Sequence, residues 1–361
     1  MSGLLHGQIV AAFGRQYLVR LADGSEIACL TRGKKSEVAC GDLVEIQRTA
    51  DASTGNGSGA QGVIERIAPR RSLLHRSDAF REKLIAANVT QIIVVVAAEP
   101  SFSDELLARC LVAAFDQKLE VLIVLNKCDL PDAAAAARKR LIPYTAIGYR
   151  VLELSAKNPS APSTLKITEQ PASRELEGRL PPLHGGGRIV EGVDALRPFL
   201  HGHTSVLVGQ SGMGKSTLIN ALLPDAQAAT REISTVLDSG KHTTTHARLY
   251  RIDDGAAATR YREAADCGSS RQTPLPHQEA LPHRVGVSGL IDCPGVQAFG
   301  LHHLSFGGIE QGFVEFAQYL GQCRFHDCRH AHEPGCALRN AVTEGKIDAR
   351  RLELFQQIAG K

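Results

Sequence analysis

Over the first 70 residues apolar side chains come in short runs that alternate with polar ones, and beyond that they come in unbroken blocks; the contrast divides the chain. Residues 4–68 carry the short alternating runs "GQIVAAFG", "QYLVRL", "SEIACL", "DLVEI" and "GVIERI", separated by glycine-rich turns. A period of two puts one face of each run in a core and leaves the other wet, so about five strands of a small all-β unit are expected. The segment "DASTGNGSGAQG" (51–62) predicts a flexible loop within it.

From about residue 72 the blocks "QIIVVVAA" (91–98), "VLIVL" (121–125), "RVLEL" (150–154) and "TSVLV" (204–208) have strand length and no polar alternation. Such strands suit a parallel sheet covered on both faces. Between them "DELLARCLVAAFDQ" (104–117) and "DAAAAARKRLIPY" (132–144) have helical composition, which makes this an α/β domain. Residues 158–185 and 253–284 predict a loop and a long excursion, and the tail from about 306 predicts helices around a Cys/His cluster. The reading is multidomain α/β: a barrel over 1–70, an α/β domain over 71–305 and a helical tail over 306–361. For the barrel, the oligonucleotide-binding (OB) type fits the size, with an SH3-like barrel as the alternative.

The totals narrow this little. At 361 residues two or three domains are expected, since single cores rarely exceed roughly 250–300 residues. A net charge of +3 is too small to establish a nucleic-acid partner. No apolar run approaches the length of a membrane span, and the N-terminus lacks the pattern of a signal peptide, so no membrane partner and a cytoplasmic location are expected. The nine cysteines cluster only near the C-terminus, where metal binding is favoured over disulfides.

Chemistry enters with "TSVLVGQSGMGKSTLINALL" (204–223), a strand, a glycine-rich loop and an amphipathic helix. In Gly209, Gln210, Ser211, Gly212, Met213, Gly214, Lys215, Ser216 and Thr217, the glycines let backbone N–H groups turn inward around phosphates. Lys215 can reach the β- and γ-phosphates, and the Ser216 hydroxyl can ligate Mg2+. The helix dipole adds to the attraction. Downstream, "LIDCPGV" (290–296) supplies Asp292 to hold Mg2+ through water and Gly295 to sense the γ-phosphate. One of Thr243, Thr244 and Thr245, taken as Thr244, is a further Mg2+ ligand in a switch loop, although β-branched residues opening a strand look the same.

With a phosphate loop in place, "NKCD" gains meaning. Asn126 and Asp129 would read guanine, Asp129 accepting two donors; Lys127 would lie along the nucleotide, with Cys128 between them. "LSAK" (154–157) brings Ser155, Ala156 and Lys157, whose backbone could meet the guanine oxygen. The order is base motif, S-A-K, phosphate loop, threonines, D-x-P-G: a GTPase order rotated about its ends, so the P-loop domain is read as circularly permuted. After the D-x-P-G turn, where many GTPases carry a water-orienting Gln, this chain has Val296. His242 is the nearest polar substitute for positioning water, unless it packs or faces solvent.

"CRFHDCRHAHEPGC" (323–336) offers Cys323, Cys328 and Cys336 with His326, His330 or His332, a set suited to one structural Zn2+. The remaining cysteines read as small apolar residues.

Together these motifs resemble one family, the bacterial ribosome small-subunit-dependent GTPases (RsgA, also called YjeQ). The resemblance rests on "NKCDL", "SAK", "GQSGMGKSTLIN", "GKHTTT", "DCPGV" and the Cys/His spacing, and covers nearly the whole chain. It implies His330 as the fourth zinc ligand and GTP/GDP as ligands. It also implies a late assembly factor, expected monomeric, that binds the small ribosomal subunit and its rRNA near the decoding region and leaves after hydrolysis. The two insertions depart from the pattern. For RNA contact, the basic "RRSLLHRSDAFREK" (70–83) and, on the barrel, Arg15, Arg20, Lys34 and Lys35, with Phe13 and Tyr17 for stacking, are the candidates. Rival readings are a permuted GTPase with another RNA or protein cargo, and a nucleotide-dependent binding module with vestigial hydrolysis.

Overall fold

The computed structural model describes residues 4–32, 37–49, 62–78, 81–158, 163–166, 192–224, 247–252, 288–293 and 300–360. The alternating N-terminal runs become β1 (Leu5–Phe13), β2 (Gln16–Leu21), β3 (Glu26–Thr31), β4 (Leu43–Arg48) and β5 (Gly62–Ile67). Their order is β1-β2-β3-β5-β4 and back to β1, with only the β3–β5 contact parallel. That closed five-stranded arrangement is the OB-type Greek key. Its core is one face of each strand: Ile9, Tyr17, Val19, Ile27, Cys29, Val44, Ile46 and Ile64. Tyr17 is therefore interior, 2% exposed, and cannot stack on a nucleotide as its sequence position suggested.

A hairpin, β6 (Leu73–Asp78) with β7 (Arg81–Ala87), follows the barrel, where the sequence pattern pointed straight to α/β alternation. Asp42, fully buried at the barrel rim, takes a bidentate contact from Arg70 at 2.7 and 2.8 Å and the Ala39 N–H at 2.7 Å. Beside it Gly41 has φ +94°, and a Cβ there would stand 2.2 Å from the Ala87 carbonyl oxygen. Only glycine permits that approach of barrel to hairpin.

The apolar blocks form β8 (Gln91–Ala97), β9 (Glu120–Asn126), β10 (Arg150–Glu153) and β12 (Thr204–Val208), joined by β14 (Ser288–Asp292). These run parallel in the order β10-β9-β8-β12-β14. Two strands run against them. β13 (Arg248–Ile252) pairs with β14, and β11 (Thr164–Lys166) pairs with β10 inside the stretch expected to be loop. Every residue of β8 is buried, as its uninterrupted composition demands of a strand covered on both faces. Around the sheet lie α1 (Asp104–Asp116), α2 (Pro131–Ala146), the short α3 (Arg197–Leu200) and α4 (Lys215–Leu222). Ser103 caps α1 by accepting the Leu106 N–H at 3.2 Å.

Barrel and sheet are continuous. β1 pairs with β4 through Leu5–Gln8, shifts register against β2 between Ile9 and Ala11, and then meets β13, Ala11 opposite Arg248. The irregularity turns the strand from one partner to the next. The tail adds α5 (Phe306–Gln311), α6 (Ala337–Thr343) and α7 (Ala349–Ala359), with α7 packed on α1. Arg351 of α7 is 2% exposed, paired with Glu315 at 2.6 Å and set over the rings of Tyr144 and Phe313. Among the described residues no helix is long and apolar enough to cross a membrane.

Candidate functional site

Four of the expected motifs leave the sheet at one end. β9 finishes at Asn126, β10 just before Ser155–Lys157, β12 just before the Gly209–Ser216 loop, and β14 at Asp292. Because these strands are parallel, their carboxyl ends share one edge, where open α/β sheets hold ligands. β9 stands only one strand away from β12, so base motif and phosphate loop are neighbours despite their reversed order in the chain.

Asn126 braces this edge. It is 1% exposed; its Nδ2 donates to the Met213 carbonyl at 2.9 Å, and its Oδ1 accepts the N–H groups of Lys127 (2.8 Å) and Ala156 (2.9 Å). One amide thus joins the N-K-C-D turn, the S-A-K turn and the phosphate loop, using three of its four hydrogen bonds. A strand-by-strand reading of the sequence could not show this, since it depends on which loops face each other. Asp129 accepts the Ser155 hydroxyl on Oδ1 at 2.6 Å, and that hydroxyl accepts the Asn158 N–H at 3.1 Å. The carboxylate is thereby oriented, with lone pairs left for further donors. Lys127 takes a left-handed conformation (φ 62°) and donates from Nζ to the Glu99 carbonyl at 2.7 Å. Burial, with Glu153 nearby, pushes the Cys128 thiol up to about 11, so it stays protonated and unreactive at neutral pH.

In the phosphate loop Gly209 and Gly214 are dictated by contact. A Cβ would lie 2.2 Å from the Val95 carbonyl oxygen at Gly209, and 2.3 Å from Asn126 Nδ2 at Gly214. Gly214, at φ +89°, starts α4. Lys215 folds back and donates from Nζ to the carbonyls of Gly209 (2.6 Å) and Gln210 (2.8 Å). Gln210 in turn accepts the Ser103 N–H at 2.7 Å, a tie to the start of α1 that the motif does not announce. Burial lowers the pKa of Lys215 and raises that of Asp292, and in each case the other's charge works against the shift. Each thus feels the other's charge at this edge of the sheet, and Ser216 is exposed. His242, Thr243, Thr244, Thr245, Gly295 and Val296 lie outside the described residues.

A second cluster sits in the tail. One ligand atom from each of Cys323, Cys328, His330 and Cys336 lies within 4.8 Å of all the others. His330 Nδ1 is 3.2 Å from Cys336 Sγ and 3.5 Å from Cys323 Sγ, while the two sulfurs are 4.0 Å apart. Three soft thiols and an imidazole at those spacings suit a tetrahedral cation. His326 and His332 are outside the cluster and exposed. His330 Nε2 meets Glu310 Oε1 at 2.5 Å, a partner nothing in the Cys/His spacing predicted.

Of the RNA candidates, Arg20 is paired with Glu26 at 2.7 Å, Arg15 is exposed, and Lys34 and Lys35 fall outside the described residues.

The family model described as RsgA GTPase matches residues 67–175 and 183–259. The chain is 47% identical over 354 residues to the small ribosomal subunit biogenesis GTPase RsgA of Nitrosospira multiformis, covering 98% of this chain and 90% of that one. It is 44% identical to the protein of the same name from Burkholderia pseudomallei, at 98% and 90% coverage. Among solved structures it superposes on YjeQ from Thermotoga maritima with TM-score 0.61 and 25% identity, covering 99% and 98% of the two chains. YloQ, described as a circularly permuted GTPase, superposes with TM-score 0.57 at 21% identity, covering 99% and 94%.

Proposed function

We propose, on the premise that this chain belongs to the RsgA GTPase family, that the edge built by β9, β10, β12 and β14 binds GTP and couples its hydrolysis to release from the small ribosomal subunit. The chain is a GTPase of small-subunit biogenesis, converting GTP and water to GDP and phosphate. The observation carrying the site reading is the Asn126 brace, which holds the base-reading turns and the phosphate loop at one fixed separation.

Asp129, already oriented by Ser155, accepts the two donors on one edge of guanine, while the Ser155–Lys157 backbone meets the guanine oxygen and Lys127 and Cys128 line the base. Backbone N–H groups from Gly209 through Thr217 surround the phosphates, and Lys215 exchanges its two loop carbonyls for phosphate oxygens. Ser216, Thr244 and Asp292 would hold Mg2+, whose charge, when bound, offsets that of the β- and γ-phosphates; all three are hard oxygen donors. Gly295 senses the γ-phosphate. His242 positions the attacking water when the small subunit is engaged. Cys323, Cys328, His330 and Cys336 would hold one structural Zn2+, since the four ligands leave no open position.

The same proposal places the barrel in 1–70, the permuted GTPase unit in 71–305 and the zinc module in 306–361, and has a cytoplasmic monomer contacting rRNA near the decoding region. Co-sedimentation with purified small subunits tests the partner. Retention with a non-hydrolysable GTP analogue and loss with GDP are expected; equal retention with both nucleotides, or none with either, would overturn the release step or the partner.

A further inference from the structure

We infer that Glu310 is a positioning residue for the metal centre: it holds the His330 ring with Nδ1 toward the three thiols and so tightens the site's hold on its cation. The inference rests on the reading of Cys323, Cys328, His330 and Cys336 as a zinc site.

A neutral imidazole donates from one nitrogen and accepts, or ligates, through the other. A carboxylate oxygen 2.5 Å from Nε2 selects the tautomer with hydrogen on Nε2 and leaves the Nδ1 lone pair for the cation. Nδ1 is also the nitrogen found among the sulfurs, 3.2 Å from Cys336 and 3.5 Å from Cys323. Both partners are shielded, the His330 side chain being 5% exposed and that of Glu310 17%, so water competes poorly for the contact. The ring is confined further by Phe306 and Phe355, with centroids at 6.4 and 6.0 Å, and the His330 carbonyl accepts the Gln356 amide at 2.5 Å.

Glu310 does not belong to the metal-binding loop. It sits on α5, and the next turn presses Gly312 against α1 so closely that a Cβ would be 2.9 Å from both Val112 methyl groups. The carboxylate therefore comes from a helix packed against α1, and the ring is aligned by a group outside the loop it stabilises. Second partners of this type typically raise metal affinity by about 10–100-fold.

The test is zinc affinity of the full chain, by competition with a chromophoric chelator, for the parent, Glu310→Gln and Glu310→Ala. Glu310→Ala should bind zinc about 10–100-fold more weakly. Glu310→Gln, which keeps an acceptor without the charge, should fall between that variant and the parent. GDP affinity, read at a separate site, should be the same in all three. On zinc-loaded, 15N-histidine-labelled protein, His330 should ligate through Nδ1 in the parent, and its Nε2–H resonance should move in both variants. Parent-like zinc affinity in Glu310→Ala, or ligation through Nε2, would overturn the inference. Should Glu310→Ala not fold, parent-like affinity and an unmoved Nε2 resonance in Glu310→Gln would do the same. A parent chain that takes up no zinc would refute the underlying site reading instead, and is distinguished by the parent measurement alone.

Discussion

In Asn126→Ala, the Met213 carbonyl and the Ala156 N–H each lose a buried partner, as does the Lys127 N–H beside them. Met213 and Ala156 are 1% and 9% exposed, so neither group is freely repaid by bulk water. A buried polar group left unmatched costs about 1–3 kcal/mol. With two such groups across the site, and part of the loss recovered by water in the vacated volume, a destabilisation of about 2–4 kcal/mol is expected. The same change unties the Gly209–Ser216 loop from the N-K-C-D and S-A-K turns. GDP affinity should therefore fall at least about tenfold, equivalent to 1.4 kcal/mol. Asn126→Asp is the sharper control: its carboxylate keeps the Lys127 and Ala156 contacts but sets an oxygen against the Met213 carbonyl, so it should be no more stable than Asn126→Ala. Denaturant unfolding without nucleotide, together with titration of a fluorescent GDP, reads both effects. A parent-like unfolding midpoint and GDP affinity within about twofold would refute the brace.

Asp129→Asn should weaken GTP binding and favour xanthosine nucleotides, because the amide offers a donor where the carboxylate accepted; unchanged GTP affinity would assign base reading elsewhere. Burial raises the pKa of Asp292, so the nucleotide-free fold is penalised when this carboxylate is ionised and relieved when it is protonated. Without nucleotide or metal, Asp292→Asn should unfold at higher denaturant than the parent near neutral pH. The gap should close as pH falls through the raised carboxyl value, and a gap that widens toward acid would contradict the sign. His242→Ala should keep GTP affinity and slow basal turnover yet lose most of the acceleration given by small subunits; full acceleration would remove His242 from the mechanism.

How far the sequence could be read depended on whether each feature was local. The apolar blocks announced β8, β9 and β12 because strands covered on both faces need no polar positions, and the loops after β9 and β12 announced themselves by their N-K-C-D and G-x4-G-K-S patterns. The permuted order was legible too, since motif order is a property of the chain. What escaped it depends on three-dimensional neighbours. Tyr17 looks like a stacking aromatic until barrel closure puts it in the core. β11 is three residues in a polar stretch, stabilised by its pairing with β10 rather than by its own composition. Glu310 lies outside the metal spacing, on a helix that only folding brings to His330.

The central claim is that this site hydrolyses GTP in response to the small ribosomal subunit. The most direct measurement is the rate of phosphate release from GTP by the purified chain, titrated with purified small subunits and, separately, with large ones. Slow turnover alone and at least about tenfold acceleration by small subunits only, or 1.4 kcal/mol off the barrier, is the predicted result. A rate indifferent to small subunits, or raised equally by large ones, would contradict it.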